Sequence, residues 1–408
     1  MRDKQSMTTL DVGLPTVDYE NEDDPEEAHR ILAAARERAP VALGAHGPEV
    51  LTYELARTVL RDDRFATPRG LALATQGVTS GPVWDRVVAG LLSLDGEDHH
   101  RLRRLVCKAF TPKASSRLRD TCVQVINDLV DPHTAGGTVD MVADIARPYP
   151  IPIICALLGA PARDWARFSA WADDIFKIFN WNVAEDADDI ERAWSELDAY
   201  NDALVRARRD DLTDDLFSDL IRAEVDGDRL THDELLMLAG GLLMAGTDTT
   251  RNQLAAAVGV LCDHPDQWGL LAANPALIPR AVDELMRFCP VIFTTIRTAR
   301  EDVELPGLRV PAGELVIVNI AAANRDPAAF EDPDRLDVTR EGATAMLTFG
   351  GGVHYCLGSH LARTELVEAL TVLTRRMPHP RRTAPERWKP LTGISGPATL
   401  PLAFDAGH

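Results

Sequence analysis

The 408-residue chain predicts a mainly α-helical fold with a small β part. Three observations carry this expectation. Apolar residues recur at helical spacing over most of the chain. Strand signals are few and short. One apolar helical run, Thr231 to Cys262, could extend for about nine turns. A helix this long and this apolar must cross the middle of the molecule. No repeat, low-complexity tract or linker divides the sequence. Residues 26–408 are therefore expected to form a single domain, preceded by a loosely held, flexible arm over residues 1–25.

In chain order, helical periodicity marks residues 26–39, 53–60, 99–110, 113–130, 151–158, 162–179, 188–210 and 214–225. A turn is expected at Asp226–Asp228. Thr231 to Glu234 reads as a capping box that opens the long helix. Residues 265–274, 278–288 and 357–377 complete the helices. Pro148, Pro150 and Pro152 predict extended chain just before Ile153. The best strands are Val50–Thr52, Val303–Leu305, Leu308–Val310 and Glu314–Asn319. A Pro311-Ala312-Gly313 turn joins the last two.

Net charge is −20, which argues against nucleic acid or an anionic membrane as a partner of the overall field. The amino terminus is polar and then acidic, without the apolar core of a signal peptide. The apolar stretch Leu235–Gly246 is too short to span a bilayer. A cytoplasmic monomer is the expectation. The six cysteines, Cys107, Cys122, Cys155, Cys262, Cys289 and Cys356, form no C-x-x-C pair, which disfavours zinc ribbons and redox dithiols. A reducing compartment argues against disulfides. Five of them lie among apolar or helical neighbours and read as inert core residues.

Cys356 stands apart because glycines flank it. The segment runs Phe349-Gly350-Gly351-Gly352-Val353-His354-Tyr355-Cys356-Leu357-Gly358. Three consecutive glycines permit positive φ and close backbone approach to something flat or bulky. The cysteine opens a helix, and a helix N-terminus lowers a thiol pKa and favours the thiolate. A shielded thiolate in that setting is a good iron ligand. A plain glycine turn beside an incidental cysteine is the simpler alternative. A phosphate loop fails, because no Lys-Ser/Thr follows the glycines. A zinc scaffold fails for want of partner ligands.

This loop resembles the haem-binding loop of the cytochromes P-450, with Phe, Gly, x, Gly, x, His, x, Cys, x, Gly all at the right spacing. The resemblance implies that haem lies between the long central helix and the helix after the cysteine loop. It makes Cys356 the axial iron ligand, with Phe349 near the sulfur and His354 reaching a haem propionate. Thiolate ligation that aids O–O cleavage belongs to this family. Three further motifs extend the likeness over the chain from about Pro25. Ala245-Gly246-Thr247-Asp248-Thr249 is similar to the family's oxygen-binding groove, with Asp248 and Thr249 as its acid and alcohol. Glu284-Leu285-Met286-Arg287 matches the Glu-x-x-Arg helix. Its third partner would be Arg335, with Arg340 as a competitor. His99 and Arg103 match the propionate-binding helix, and Arg297 the other propionate arginine; two carboxylates need such donors.

The implied reaction inserts one atom of O2 into a lipophilic molecule, typically hydroxylating a C–H bond. Heme b would be the cofactor, and electrons would come from NAD(P)H through a reductase and an iron–sulfur ferredoxin. The alternatives are a peroxide-driven peroxygenase and a non-catalytic haem sensor. The implied substrate pocket draws on residues 67–94, 175–182, 238–249, 291–295 and 393–398, with Phe176, Phe179, Trp181, Ile292, Phe293 and Ile394 as apolar lining. Arg101, Arg104, Lys108, Lys113 and Arg363 would offer a basic docking face to an acidic ferredoxin.

Overall fold

The structure, a computed structural model, describes residues 13–225, 230–342 and 344–406. The turn expected at Asp226–Asp228 and residues 1–12 of the arm lie outside them. Helices dominate, as the periodicity predicts. The central run is the chief departure. It is two helices, His232–Ala245 and Asp248–Asp263, broken at Gly246 and Thr247. The capping box at its start is formed: Thr231 accepts from the Glu234 N–H, and the Glu234 side chain accepts from the Thr231 N–H. Close packing at the break admits only glycine. A Cβ at Gly246 would lie 2.8 Å from Ile154 Cδ1. Thr247 adds to the break by turning its hydroxyl back onto the Met244 carbonyl at 2.7 Å.

The proline-rich segment also departs from expectation. Met141–Ala146 is a π-helical turn, and Pro150–Leu158 is an α-helix. Pro150 and Pro152 sit in that helix's first turn, where a missing N–H costs nothing. Met141–Leu158 is the one stretch among the described residues long and apolar enough to cross a membrane, and 61% of it is packed inside the molecule.

The main sheet has five strands in the order Val41–Gly44, Gly47–Val50, Leu315–Asn319, Thr294–Ala299, Phe65–Ala66. Gly47–Val50 runs parallel to Leu315–Asn319, with Val50 opposite Val318, and the other neighbours are antiparallel. The strand expected at Val50–Thr52 ends at Val50, because Thr52 starts the helix Tyr53–Arg61. Residues 13–24 are not loose. Thr16 bridges Leu43, and Val17 and Tyr19 are buried.

Among the described residues two large apolar clusters fill most of the interior, and Leu73, Val83, Val87, Ile178, Val183 and Ile190 form a small third. Leu254, Val258, Leu366 and Leu370 belong to the large helical cluster, and Val41, Val50, Val316 and Val318 to the sheet cluster. Each such side chain contributes about 1.5–3 kcal/mol through burial. The helix after the cysteine loop, Ser359–Arg376, packs against both Asp248–Asp263 and Ile278–Phe288. That packing fixes the loop relative to the break.

Candidate functional site

Gly350 and Gly352 adopt φ of +70° and +66°. The close approach at Gly352 is to protein: its Cβ would fall 2.5 Å from the Leu60 carbonyl oxygen. The loop closes when the Cys356 N–H donates to the Phe349 carbonyl at 2.9 Å. Phe349 lies under the Arg363 guanidinium, 4.7 Å from ring centre. Cys356 precedes the helix by three residues. Burial pushes its thiol up, opposed by the Gly358 N–H and by Arg103 and Arg363. The expected lowering is therefore outweighed by desolvation; coordination to a metal would supply the missing stabilisation of the thiolate.

Four basic side chains converge beside this loop. His99 and Arg103 stand one turn apart on the helix Gly96–Val106, which Asp95 caps. His99 is buried and His100 exposed, so the doubled histidine has a defined register. The His99 and His354 rings lie 4.3 Å apart. Both ring nitrogens of His99 and Nε2 of His354 are shut off from solvent without a protein partner. Arg103 donates to the Tyr355 carbonyl. Arg297, 7% exposed, donates to the Ile296 carbonyl at 2.8 Å and to no carboxylate. Burial, then His99 and Arg297, pushes His354 down to about 4. Burial likewise lowers His99, with Arg103 and His100 adding to it, and brings Arg297 down to about 10. A buried cationic group without a counter-charge is costly. Two carboxylates are the complement this cluster lacks, and a haem carries two. The residues present fit the group.

On the central helices, Ala245 is exposed although its helix is otherwise largely buried, and Thr249 is half-buried beside it. The Thr249 hydroxyl donates to the Ala245 carbonyl at 3.2 Å. A Cβ at Gly241 would meet nothing within 4 Å. These residues line open space on one face of the central helices. Asp248 faces elsewhere. It is 4% exposed and in ionic contact with Arg251, which also donates to Asp173 at 2.6 Å. Asp173 in turn meets Arg147, and both are part-exposed. The sequence reading missed this outward chain, because Asp173 and Arg147 are remote in sequence. It also missed Glu365, fully buried on the helix after the loop. Glu365 accepts from Thr250 at 3.1 Å, and burial pushes it up to about 8.

The Glu284 site corrects one expectation. Glu284 and Arg287 are buried and joined by two hydrogen bonds of 2.7 and 2.8 Å. The third partner is Arg340, whose Nε donates to both Glu284 oxygens at 3.1 Å. Arg335 supplies only its backbone carbonyl, to Arg340 at 3.0 Å. Its side chain is exposed.

Two expected pocket residues are committed elsewhere. Phe293 packs with Tyr19 and His29 in the core, and Trp181 stacks on His46 with ring centres 3.7 Å apart. Phe176 and Phe179 stack on each other, and Phe179 abuts Gly393. Ile292 and Ile394 remain half-buried.

Comparison with known proteins agrees with this geometry. The cytochrome P450 family model matches residues 163–268 and 274–391. The mycinamicin IV hydroxylase/epoxidase of Micromonospora griseorubida is 42% identical over 361 residues, covering 87% of this chain and 89% of that protein. The luteothin monooxygenase of Streptomyces thioluteus is 36% identical and covers 96% and 97%. The crystal structure of CalO2 superposes with a TM-score of 0.89 at 33% identity, over 96% of this chain and 100% of that one. The chain belongs to the cytochrome P450 family. It is a monooxygenase-type oxidoreductase with the P450 fold, and its family implies a haem-iron cofactor and O2 as co-substrate.

Proposed function

We propose that the chain binds heme b through Cys356 and inserts one oxygen atom of O2 into a lipophilic small molecule. Electrons would come from NAD(P)H through a reductase and a ferredoxin. In this reading His99, Arg103, Arg297 and His354 hold the two propionates, and Phe349 shields the sulfur. The observation that carries it is the convergence, next to a glycine-loop thiol, of His99 and His354 ring nitrogens that have no protein partner with Arg103 and Arg297, which have only backbone carbonyls. The lack of a C-x-x-C-H attachment motif supports non-covalent heme b over a c-type haem. When bound, the haem supplies the oxygen chemistry, and the protein supplies orientation, protons and exclusion of water.

Thr249 would hold a water on the open face of the central helix. Asp248 would pass protons inward from solvent through its contact with Arg251 and the Asp173–Arg147 pair. Their contribution is positioning, so a small displacement has a large effect on rate. The half-buried Phe176, Phe179, Ile292 and Ile394 support a lipophilic substrate. Arg104, Lys108 and Lys113 are exposed and remain for a ferredoxin. Arg101 and Arg363 are engaged by Glu234 and Asp283. The deciding experiment is the ferrous–CO spectrum of the purified holoprotein. The red-shifted Soret band of a thiolate ligand is expected, and Cys356→His should abolish it. A band unchanged in that variant refutes the ligand assignment.

A further inference from the structure

The small third apolar cluster is a unit of its own. Val83 and Val87, from the helix Pro82–Ala89, pack there with Ile178, Val183 and Ile190, apart from the two large clusters. The cluster joins two segments expected at the substrate pocket, residues 67–94 and 175–182, into one cap. Its edges place it. On one side Phe179 abuts Gly393, where a Cβ would fall 2.8 Å from that of Phe179. On the other, an Arg86 guanidinium nitrogen lies 3.4 Å from where a Cβ on Gly240 would stand, one residue from Gly241 and its open space. The cap thus spans the open face of the central helices that carries Ala245 and Thr249.

Its bracing is internal. Lys177 bridges Asp174 and Asp189, each at 3.0 Å, across the turn from the helix Trp165–Ile175 to the helix Val183–Arg208. The Val183 N–H donates to Gln76 Oε1 at 3.1 Å and ties that turn to the other half of the cap. A unit held by a small cluster of its own opens at a lower free energy than the main cores. A ring stack ties it to the sheet. Trp181 lies flat on His46, with ring centres 3.7 Å apart and planes within 10°. His46 sits in the turn between the strands Val41–Gly44 and Gly47–Val50. Its Nε2 meets Glu20 at 3.0 Å. The neighbour of Glu20, Tyr19, is buried and donates to Glu49 at 2.9 Å. The His46 ring is therefore fixed on the rigid side, and the Trp181 ring belongs to the cap.

We propose that the His46–Trp181 stack is a latch that holds this cap closed and sets how fast substrate-sized molecules enter and leave the open face. The proposal rests on the haem reading of that face. The two rings act as positioning groups and touch neither the cysteine loop nor the basic cluster. Parting the rings frees the turn that carries Phe176 and Phe179, so the opening forms where Phe179 leaves Gly393. An aromatic pair of this kind shifts such an opening equilibrium by about three- to tenfold. Because the latch acts on the passage and not on the bound molecule, entry and exit change together and affinity does not.

The test is stopped-flow binding of 4-phenylimidazole to the ferric holoprotein, read at the Soret band, with carbon monoxide binding to the ferrous protein as the small-ligand control. Trp181→Ala and His46→Ala should each raise the azole's association and dissociation rates by a common factor of about three to ten, with Kd unchanged within about twofold. The double variant should go no further than either single one. Trp181→Phe keeps a ring and should restore slow rates, and carbon monoxide rates should hold throughout. Hydrogen exchange of the apoproteins and holoproteins gives a reading independent of haem: amides of residues 176–183 should exchange faster in both alanine variants, and those of residues 250–262 should not. Wild-type azole rates in both alanine variants overturn the proposal, as do additive effects or an equal acceleration of carbon monoxide. If the wild-type protein gives no azole shift, the haem reading fails instead, and unchanged exchange over residues 176–183 then overturns the latch on its own.

Discussion

Arg340→Met tests the corrected triad most directly. Arg340 brings two 3.1 Å hydrogen bonds to a carboxylate that is 2% exposed. It also donates to the carbonyls of Asp332 at 3.1 Å and Arg335 at 3.0 Å. A hydrogen bond to a charged group contributes about 1.5–3 kcal/mol. Removing one member of a fully buried ion pair costs roughly 3–5 kcal/mol. Arg340 is 19% exposed, and Glu284 keeps Arg287, so the loss should fall lower, at about 2–4 kcal/mol. With an unfolding entropy of about 2.1 cal/mol/K per residue over this length, that is a drop of ~2–5 °C in Tm. Arg335→Met, whose side chain touches no triad member, should stay within about 0.5 kcal/mol. Thermal unfolding of the holoproteins, followed at the Soret band at one fixed scan rate, compares them. The reasoning fails if Arg335→Met destabilises as much as Arg340→Met.

Thr249→Ala should keep haem content and substrate binding while diverting electrons to hydrogen peroxide, read as product formed per NAD(P)H oxidised; full coupling would rule out the relay. Asp248→Asn should instead slow turnover and enlarge the solvent isotope effect. Glu365 binds a proton in the folded state up to about pH 8 but loses it near 4.5 when unfolded. Its contribution to stability is therefore complete below pH 4.5 and is lost as pH rises to 8. Glu365→Gln should remove several kcal/mol of that decline, and identical pH profiles of Tm for the two proteins would contradict it. Charge reversal at Arg104 and Lys108 should slow reduction by an acidic ferredoxin at low salt without altering substrate affinity; unchanged stopped-flow rates would move the docking face elsewhere.

What the sequence disclosed was local. The cysteine loop, the one-turn spacing of His99 and Arg103 and the Thr231 capping box each depend on residues within a turn or two of one another. Their geometry follows from chain stereochemistry. Helix periodicity was legible for the same reason. The failures are non-local. Arg335 and Arg340 lie five residues apart in one irregular segment, and only its folding decides which guanidinium reaches Glu284. Val41–Gly44 and Thr294–Ala299 are strands because Val50 and Val318 give them partners. The Asp173–Arg251 contact joins helices 78 residues apart, and no pattern within either helix announces it.

The break in the central helix shows both kinds of information acting on one segment. Sequence alone marks Gly246–Thr250 as a polar interruption but not as two helices, and it gives no sign that Ile154, from a distant part of the chain, packs against Gly246. The helix restarts at Asp248. Successive residues then turn by about 100° around the axis. Asp248 is directed into the ionic chain toward Asp173 and Arg147, while Thr249 faces the open side with Ala245. Two adjacent residues thus reach two separate environments through the thickness of one helix. A continuous helix could set the same 100° between them, but Thr247 N–H donating to the Met244 carbonyl, rather than to that of Leu243, shifts the register of the turn. Gly246 lies directly before this turn with no room for a side chain beside Ile154, so substitution there should disturb the acid and the alcohol together.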